Sequence, residues 1–423
     1  MAPAQRFRFT STSVFSARSL SCVAALVCFF ASVAAFGAQE PVGPARAALL
    51  PEALVVPPSR QATIKNDIYR HDAEGVHINA HGGGVLFHRG VYYLYGEYRN
   101  AKKAGPPGTL GVGCYSSTDL YNWKHEGVVM PVSGDPASDI TAGCVIERPK
   151  VVFNAKTGKF VMWFHLELKG RGYAAARAAL AVADAPTGPF KFVRSLRPNA
   201  GRWPMGFPND KKSSLAADQA KSLMSGDKFR TGLRDGVYTR RDFMGGQMSR
   251  DMTLFVDDDA KGYLISSAEE NYTLAIHELT PDYLDFTGNW VRVAPGGHNE
   301  APAVVKHEGR YHLLASGCTG WDPNPARVLV ADSIWGPWKH SHNPCVGVNP
   351  QNGLGPDKTW GGQSTHIFAV QGKRDAYVAM FDVWRPRPQL VESGYIWLPV
   401  EFVDGKMTIR WRSEWDLGGF DRR

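Results

Sequence analysis

Five polar side chains stand at equivalent points of five similar segments, and three of them are carboxylates. Glu147 opens "ERPKVVFNAKTGKFVMWFH", Asp251 opens "DMTLFVDDDAKGYLISSAEE" and Gln363 opens "QSTHIFAVQGKRDAYVAMFD". His81 opens "HGGGVLFHRGVYYLYGE", and Glu300 is the second residue of "NEAPAVVKHEGRYHLLASG". Each is followed by an apolar run: Val85-Leu86-Phe87, Val151-Val152-Phe153, Leu254-Phe255-Val256, Val304-Val305 and Ile367-Phe368. A carboxylate at the head of a strand that is otherwise buried calls for a reason. A single one can cap its strand by accepting bonds from nearby backbone N–H groups. Three that converge repel one another and shift one another's pKa, at a cost in stability. Three carboxylates, an amide and an imidazole brought together therefore point to a functional polar mouth, with the shifted proton affinities that acid–base chemistry uses.

The elements that must bring them together are hairpins. Each apolar run leads into a turn rich in Gly, Asp, Asn or Lys and then into an aromatic or aliphatic strand. Five copies, beginning at 81, 147, 251, 300 and 363, make an internal repeat. Most intervals hold a four-stranded unit with its loops. The interval from 147 to 251 is longer, and its excess at 203–245 is polar and broken by Gly and Pro, which reads as an inserted loop with one short helix around 214–224. Helical periodicity is scarce, and 44 Gly and 28 Pro punctuate short strands throughout. The expected fold is all-β, a five-bladed β-propeller over residues 63–423. In a propeller the innermost strands of all blades run along one axis, so residues heading those strands meet at one mouth of the channel.

The chain has 423 residues, 43% of them hydrophobic, which is ample for a large core. Arg6, Arg8 and Arg18 precede the apolar stretch "LSCVAALVCFFASVAAF", and small residues follow it. This is the pattern of a secretory signal peptide over 1–38. A linker rich in Pro and Ala follows over 39–62. The expectation is an exported protein, periplasmic or extracellular, with no stable membrane insertion once the leader is cleaved. Cys114, Cys144, Cys318 and Cys345 remain, with no zinc-like spacing, and stand open as disulfides or as buried thiols. A net charge of +8 without any dense basic run argues against nucleic-acid binding. The "VDDDAKG" at 256–262 has carboxylates for calcium, but a hairpin turn explains it better, and nothing demands a metal or other cofactor.

Six segments carry a family resemblance: "INAHGGGVLFHRGVYYLYGE", "ERPKVVFNAKTGKFVMWFH", "SRDMTLFVDDDAKGYL", "NEAPAVVKHEGRYHLLASGCTGW", "GGQSTHIF" and "YIWLPVEF". Together they span about residues 67 to 418, and they resemble glycoside hydrolase family 43, in particular its branch of exo-β-1,3-galactanases. The resemblance implies an inverting glycosidase acting on a polysaccharide or oligosaccharide. It places the general acid at Glu300 and the carboxylate that tunes it at Asp251. The usual Asp base of the first blade is absent, since His81 stands there, a departure that the galactanase branch shares. In that branch a last-blade Gln, here Gln363, holds or activates the water, either by orienting it or through an imidic tautomer. Glu147 is expected to bind sugar hydroxyls, and His81 to pack under the sugar, because three glycines after it suggest close backbone approach. Glu97 ends the second strand of the first hairpin and is expected to bind substrate. Tyr173, Thr319 and Trp321 match substrate-lining segments, with Trp321 a platform for a sugar face. Two rival readings remain: an arabinofuranosidase or galactofuranosidase of the same fold, and a sugar-binding propeller that has lost its base.

Overall fold

The computed structural model describes residues 55–66, 69–100, 108–385 and 390–421. The signal-peptide expectation and most of the linker fall outside these residues. No helix among them is long and apolar enough to cross a membrane.

The hairpins assemble into five sheets, antiparallel but for one short outer strand of the last. Their inner strands are His81–His88, Val145–Asn154, Met252–Val256, Asn299–His307 and Gln363–Ala369. Each inner strand packs on those of the neighbouring blades, and the fifth returns to the first, which closes the ring of a five-bladed propeller. The first four blades have four strands each, as the repeat spacing suggests. The last has five, because Cys345–Val346 adds in parallel to Lys406–Arg410 at its outer edge.

Apolar residues of each inner strand fill the seams between blades. One core joins Tyr95 and Val112 of the first blade to Phe160, Met162 and Phe164 of the second. Another joins Leu94 and Trp123 of the first blade to Val378 and Trp397 of the last. At that closing seam Trp123 and Trp397 meet edge to face, ring centroids 5.6 Å apart, an arrangement worth about 0.5–1.5 kcal/mol beyond the area it buries. A clasp completes the closure. Ile64–Lys65 pairs with Glu414–Trp415, and the Asn66 side chain bonds the Trp397 backbone in both directions.

All four cysteines named above are free thiols, and three of them are buried. The acidic hairpin turn is tied to the inner strand of the next blade, with Asp257 and Asp258 both paired to Lys306 at 2.7 and 2.8 Å. The inserted segment departs from the expectation of a loop with one helix. It holds Ala217–Leu223, close to the expected position, and two further short helices, Phe229–Arg234 and Val237–Arg241. Leu233 and Val237 are the buried anchors of that second pair. Gly232 and Gly236 interrupt any longer apolar periodicity, which is why the pattern reads as loop.

Candidate active site

A cavity of about 270 Å³ opens where the inner strands begin. Its lining includes Glu97, Glu147, Asp251, Glu300, Gln363 and Trp321. Tyr173, Arg99, Arg148 and Trp384 complete most of the wall. A larger cavity, about 600 Å³, lies around the other ends of the same strands, but its lining is chiefly the apolar runs.

Bulges explain how the polar heads turn inward. Strand pairing slips just after His81, Glu147, Glu300 and Ser364. In three of these the following residue takes a left-handed backbone: Gly82 at φ 64°, Arg148 at 54° and Ala301 at 53°. Such a bulge bends the strand and re-aims the side chain beside it. Asp251 needs none, since it precedes its strand directly.

His81 is the exception and corrects the expected substrate contact. It is fully buried, stacks on Tyr395 with centroids 4.6 Å apart, and places Nε2 2.6 Å from the Ser393 carbonyl. Burial holds its imidazole neutral, with the pKa lowered to about 3. Its cross-strand partner Glu97 occupies the site instead. The glycines after His81 serve that exchange: a Cβ at Gly82 would fall 2.3 Å from the Glu97 carboxylate, and one at Gly84 2.6 Å from the Lys150 side chain. Thr319 is also outside the lining, because its hydroxyl bonds the Asp322 carbonyl and accepts from Asn324 within its own loop.

Arg148 ties the floor together. Its guanidinium is nearly buried and reaches Asp251 at 2.8 Å, Gln363 Oε1 at 2.6 Å, the Ser364 carbonyl at 3.2 Å and Asp382 at 3.7 Å. Gln363 Oε1 also accepts from Trp384 Nε1 at 2.9 Å, and its Nε2 donates to Ser316 Oγ at 3.0 Å. The amide oxygen is thus saturated by two donors, which stabilises the ordinary amide over an imidic tautomer and leaves one N–H free.

Glu300 is the carboxyl poised to carry a proton. Burial first, then the Asp251 charge and Glu147, raise its pKa to about 7 against the opposing pull of Cys318 and Arg148. Glu147 is its opposite. Burial alone would raise it, but His165, Arg99 and Tyr173 override that and hold it ionised, with a pKa of about 2. Tyr173 donates to Glu147 Oε1 at 2.6 Å. His165 lies between Glu147 at 3.1 Å and Glu167 at 2.9 Å, and the two carboxylates outweigh its burial, raising its pKa to about 9. Ligand atoms of Glu147, His165 and Asp251 come within 4.8 Å of one another. With each ring nitrogen of His165 turned to a carboxylate, these groups form an ion-pair network. Glu97 faces Arg99 through two guanidinium contacts and accepts from the Arg148 backbone N–H at 3.3 Å. Trp321, 46% exposed, stands at the rim beside Trp384, with centroids 6.1 Å apart.

Arg148, Arg99, Trp384 and Asp382 were not legible as site residues. Arg148 had one signal, its place directly after a strand-heading carboxylate where a bulge turns the next side chain inward.

Residues 195–382 match the model of the glycosyl hydrolases of family 43. A solved structure, the GH43 β-1,3-galactosidase BT3683 with galactodeoxynojirimycin, is 51% identical, with a TM-score of 0.78 over 84% of this chain and 100% of that one. An exo-β-1,3-galactanase variant from Phanerochaete chrysosporium, solved with β-1,3-galactotriose, is 28% identical, with a TM-score of 0.65 over 84% of this chain and 68% of that one. A β-D-galactofuranosidase of Aspergillus niger is 30% identical over 95 residues, 22% of this chain, and the match spans 27% of that curated relative.

Proposed function

The chain belongs to glycosyl hydrolase family 43, and from that premise we propose that it is an inverting exo-β-1,3-galactosidase acting on arabinogalactan-type β-1,3-galactan. The observation that carries the reading is Glu300, a carboxyl whose pKa is raised to about 7 by burial and by Asp251, lining a sugar-sized cavity together with Gln363. Cleavage of a β-galactoside needs a proton on the leaving oxygen and a water at the anomeric carbon. Glu300 supplies the proton. Gln363, fixed through Arg148, Trp384 and Ser316, orients the water with its free N–H, and the water loses its proton to solvent after adding from the opposite face. Glu147, Glu97 and Tyr173 take the sugar hydroxyls, and Trp321 covers the next ring. His81 is too deeply buried to act as a base. Two relatives were solved with a galactose-like or galactose-containing ligand, which supports this substrate class. The arginine-rich apolar leader supports export.

The substrate and the stereochemistry are checked together. Proton NMR in the first minutes of β-1,3-galactotriose hydrolysis is expected to show α-galactose, released from one end. Initial β-galactose would mean retention and would exclude a water opposite Glu300. Cleavage of nitrophenyl galactofuranoside or arabinofuranoside, with galactan untouched, would replace this reading with the furanosidase one.

Asp251 has its own test. Its negative charge helps to keep Glu300 protonated, so removing it lowers the Glu300 pKa. Activity that needs protonated Glu300 is lost as pH rises through that pKa. In Asp251→Asn the alkaline limb of kcat/KM should therefore move to lower pH. A limb that stays in place would assign Asp251 a structural role.

A further inference from the structure

Beside the cavity, the turn Glu269-Glu270-Asn271 places three consecutive non-glycine residues in the left-handed region, at φ 52°, 56° and 67°. Such a run is costly for L-residues and persists only where its surroundings over-determine it. Here the turn delivers a single side chain to the site. Asn271 Nδ2 donates to Glu300 Oε1 at 2.7 Å, and Cys318 Sγ lies 3.0 Å from the same oxygen. Arg250 approaches Asn271 Oδ1 at 3.4 Å, which turns the amide so that its NH₂ faces Glu300.

The inserted segment supplies much of what holds the turn. Thr239 donates to Glu269 at 2.7 Å, and Arg241 pairs with Glu270 at 3.0 Å. Phe229 and Tyr238 pack on Tyr272, the next residue, whose other neighbour is the stacked ring of His298. Outside the insertion, Arg292 grips Glu269, and Arg250 pairs with Glu270 at 3.1 Å.

We propose that Asn271 is a positioning residue for Glu300, that with Cys318 it occupies Oε1 so that Oε2 is the oxygen presented to the glycosidic bond, and that the inserted segment 203–245 braces the turn that holds it there. The consequence for catalysis rests on the reading of Glu300 as the acid. Both donors stabilise the carboxylate left behind after proton transfer. They work among a fixed set of charges: Asp251 from the preceding blade, and Glu147 and Arg148 from the second. Cys318 is pushed up to about 12 by burial and Glu300, so it remains a thiol donor throughout the working range.

The test reads the Glu300 titration with and without substrate. Asn271→Gly removes the amide yet accepts a φ of 67°. Asn271→Asp keeps the shape and replaces the donor by an anion. The carboxyl ¹³C signal of Glu300, identified as the one lost in Glu300→Gln, should titrate about one pH unit higher in Asn271→Gly, and higher still in Asn271→Asp. Cys318→Ser, which keeps a donor, should stay near wild type, while Cys318→Ala should move upward. Arg241→Ala touches neither Glu300 nor the cavity and should shift the same signal in the same direction. On β-1,3-galactobiose the alkaline limb of kcat/KM should follow, with kcat falling about tenfold and KM little changed. A Glu300 titration that is unmoved in both Asn271 variants overturns the positioning role. An unmoved signal in Arg241→Ala overturns the bracing role. The NMR arm uses no substrate, so galactan left intact by wild-type enzyme would count against the proposed function and leave the positioning claim to stand or fall on the titration.

Discussion

Glu300→Gln should cut kcat/KM on β-1,3-galactobiose by about 10²–10⁴-fold, the usual contribution of a positioned general acid. The leaving group there is a sugar hydroxyl, a poor one unless protonated as the bond breaks. An activated nitrophenyl β-galactoside leaves without that help, so the same variant should lose far less on it. Glutamine keeps the shape of Glu300 and can still meet its neighbours at Asn271 and Cys318, which confines the change to the missing proton. Equal losses on the two substrates would show that Glu300 does something other than protonate the leaving oxygen.

Arg148→Met should be the most damaging change to the molecule as a whole. The methionine fills much of the volume but leaves Asp251 and Gln363 without their common partner and Asp382 without its ion pair. Removing one member of a buried ion pair typically costs about 3–5 kcal/mol, because the remaining charge is stranded. Asp382 is already raised to about 7, chiefly by burial, with Arg148 opposing. The variant should therefore unfold at clearly lower urea and lose activity even where it remains folded, since the amide that orients the water is no longer anchored. Arg148→Lys should recover part of the stability but little of the activity, because an ammonium cannot reproduce the forked geometry. Denaturant melts beside kcat/KM measured well below the melting range would separate the two effects. A stable, fully active Arg148→Met protein would remove Arg148 from the account of the site.

The blade count and the convergence of Glu147, Asp251, Glu300 and Gln363 were legible because a hairpin repeat fixes register, and register fixes which end of a strand faces the mouth. The exclusion of His81 from the site was hidden. His81 heads its strand as the other four polar residues do, and only its packing against Tyr395 and Ser393 keeps it out of the mouth while its cross-strand partner Glu97 faces in. Arg148 was hidden for a different reason: a long side chain on a bulge reaches partners in two other blades, the third and the fifth, and no local pattern encodes that reach. The helices of the insertion were obscured by their shortness, since 5 or 6 residues do not establish a period.

The clasp between Ile64–Lys65 and Glu414–Trp415 has a temporal consequence. Those pairings join segments about as far apart in sequence as this fold allows, and contacts of such separation form late because the intervening loop must first be closed. A chain leaving the ribosome exposes Glu97 and Glu147 early, Glu300 well after, and Gln363 near the end, while the strand that clasps the ring follows still later. No product that ends before Trp384 carries the full set of lining residues. Appearance of activity during synthesis or refolding is therefore a clock for ring closure, and it should lag behind the gain of β-structure seen by circular dichroism.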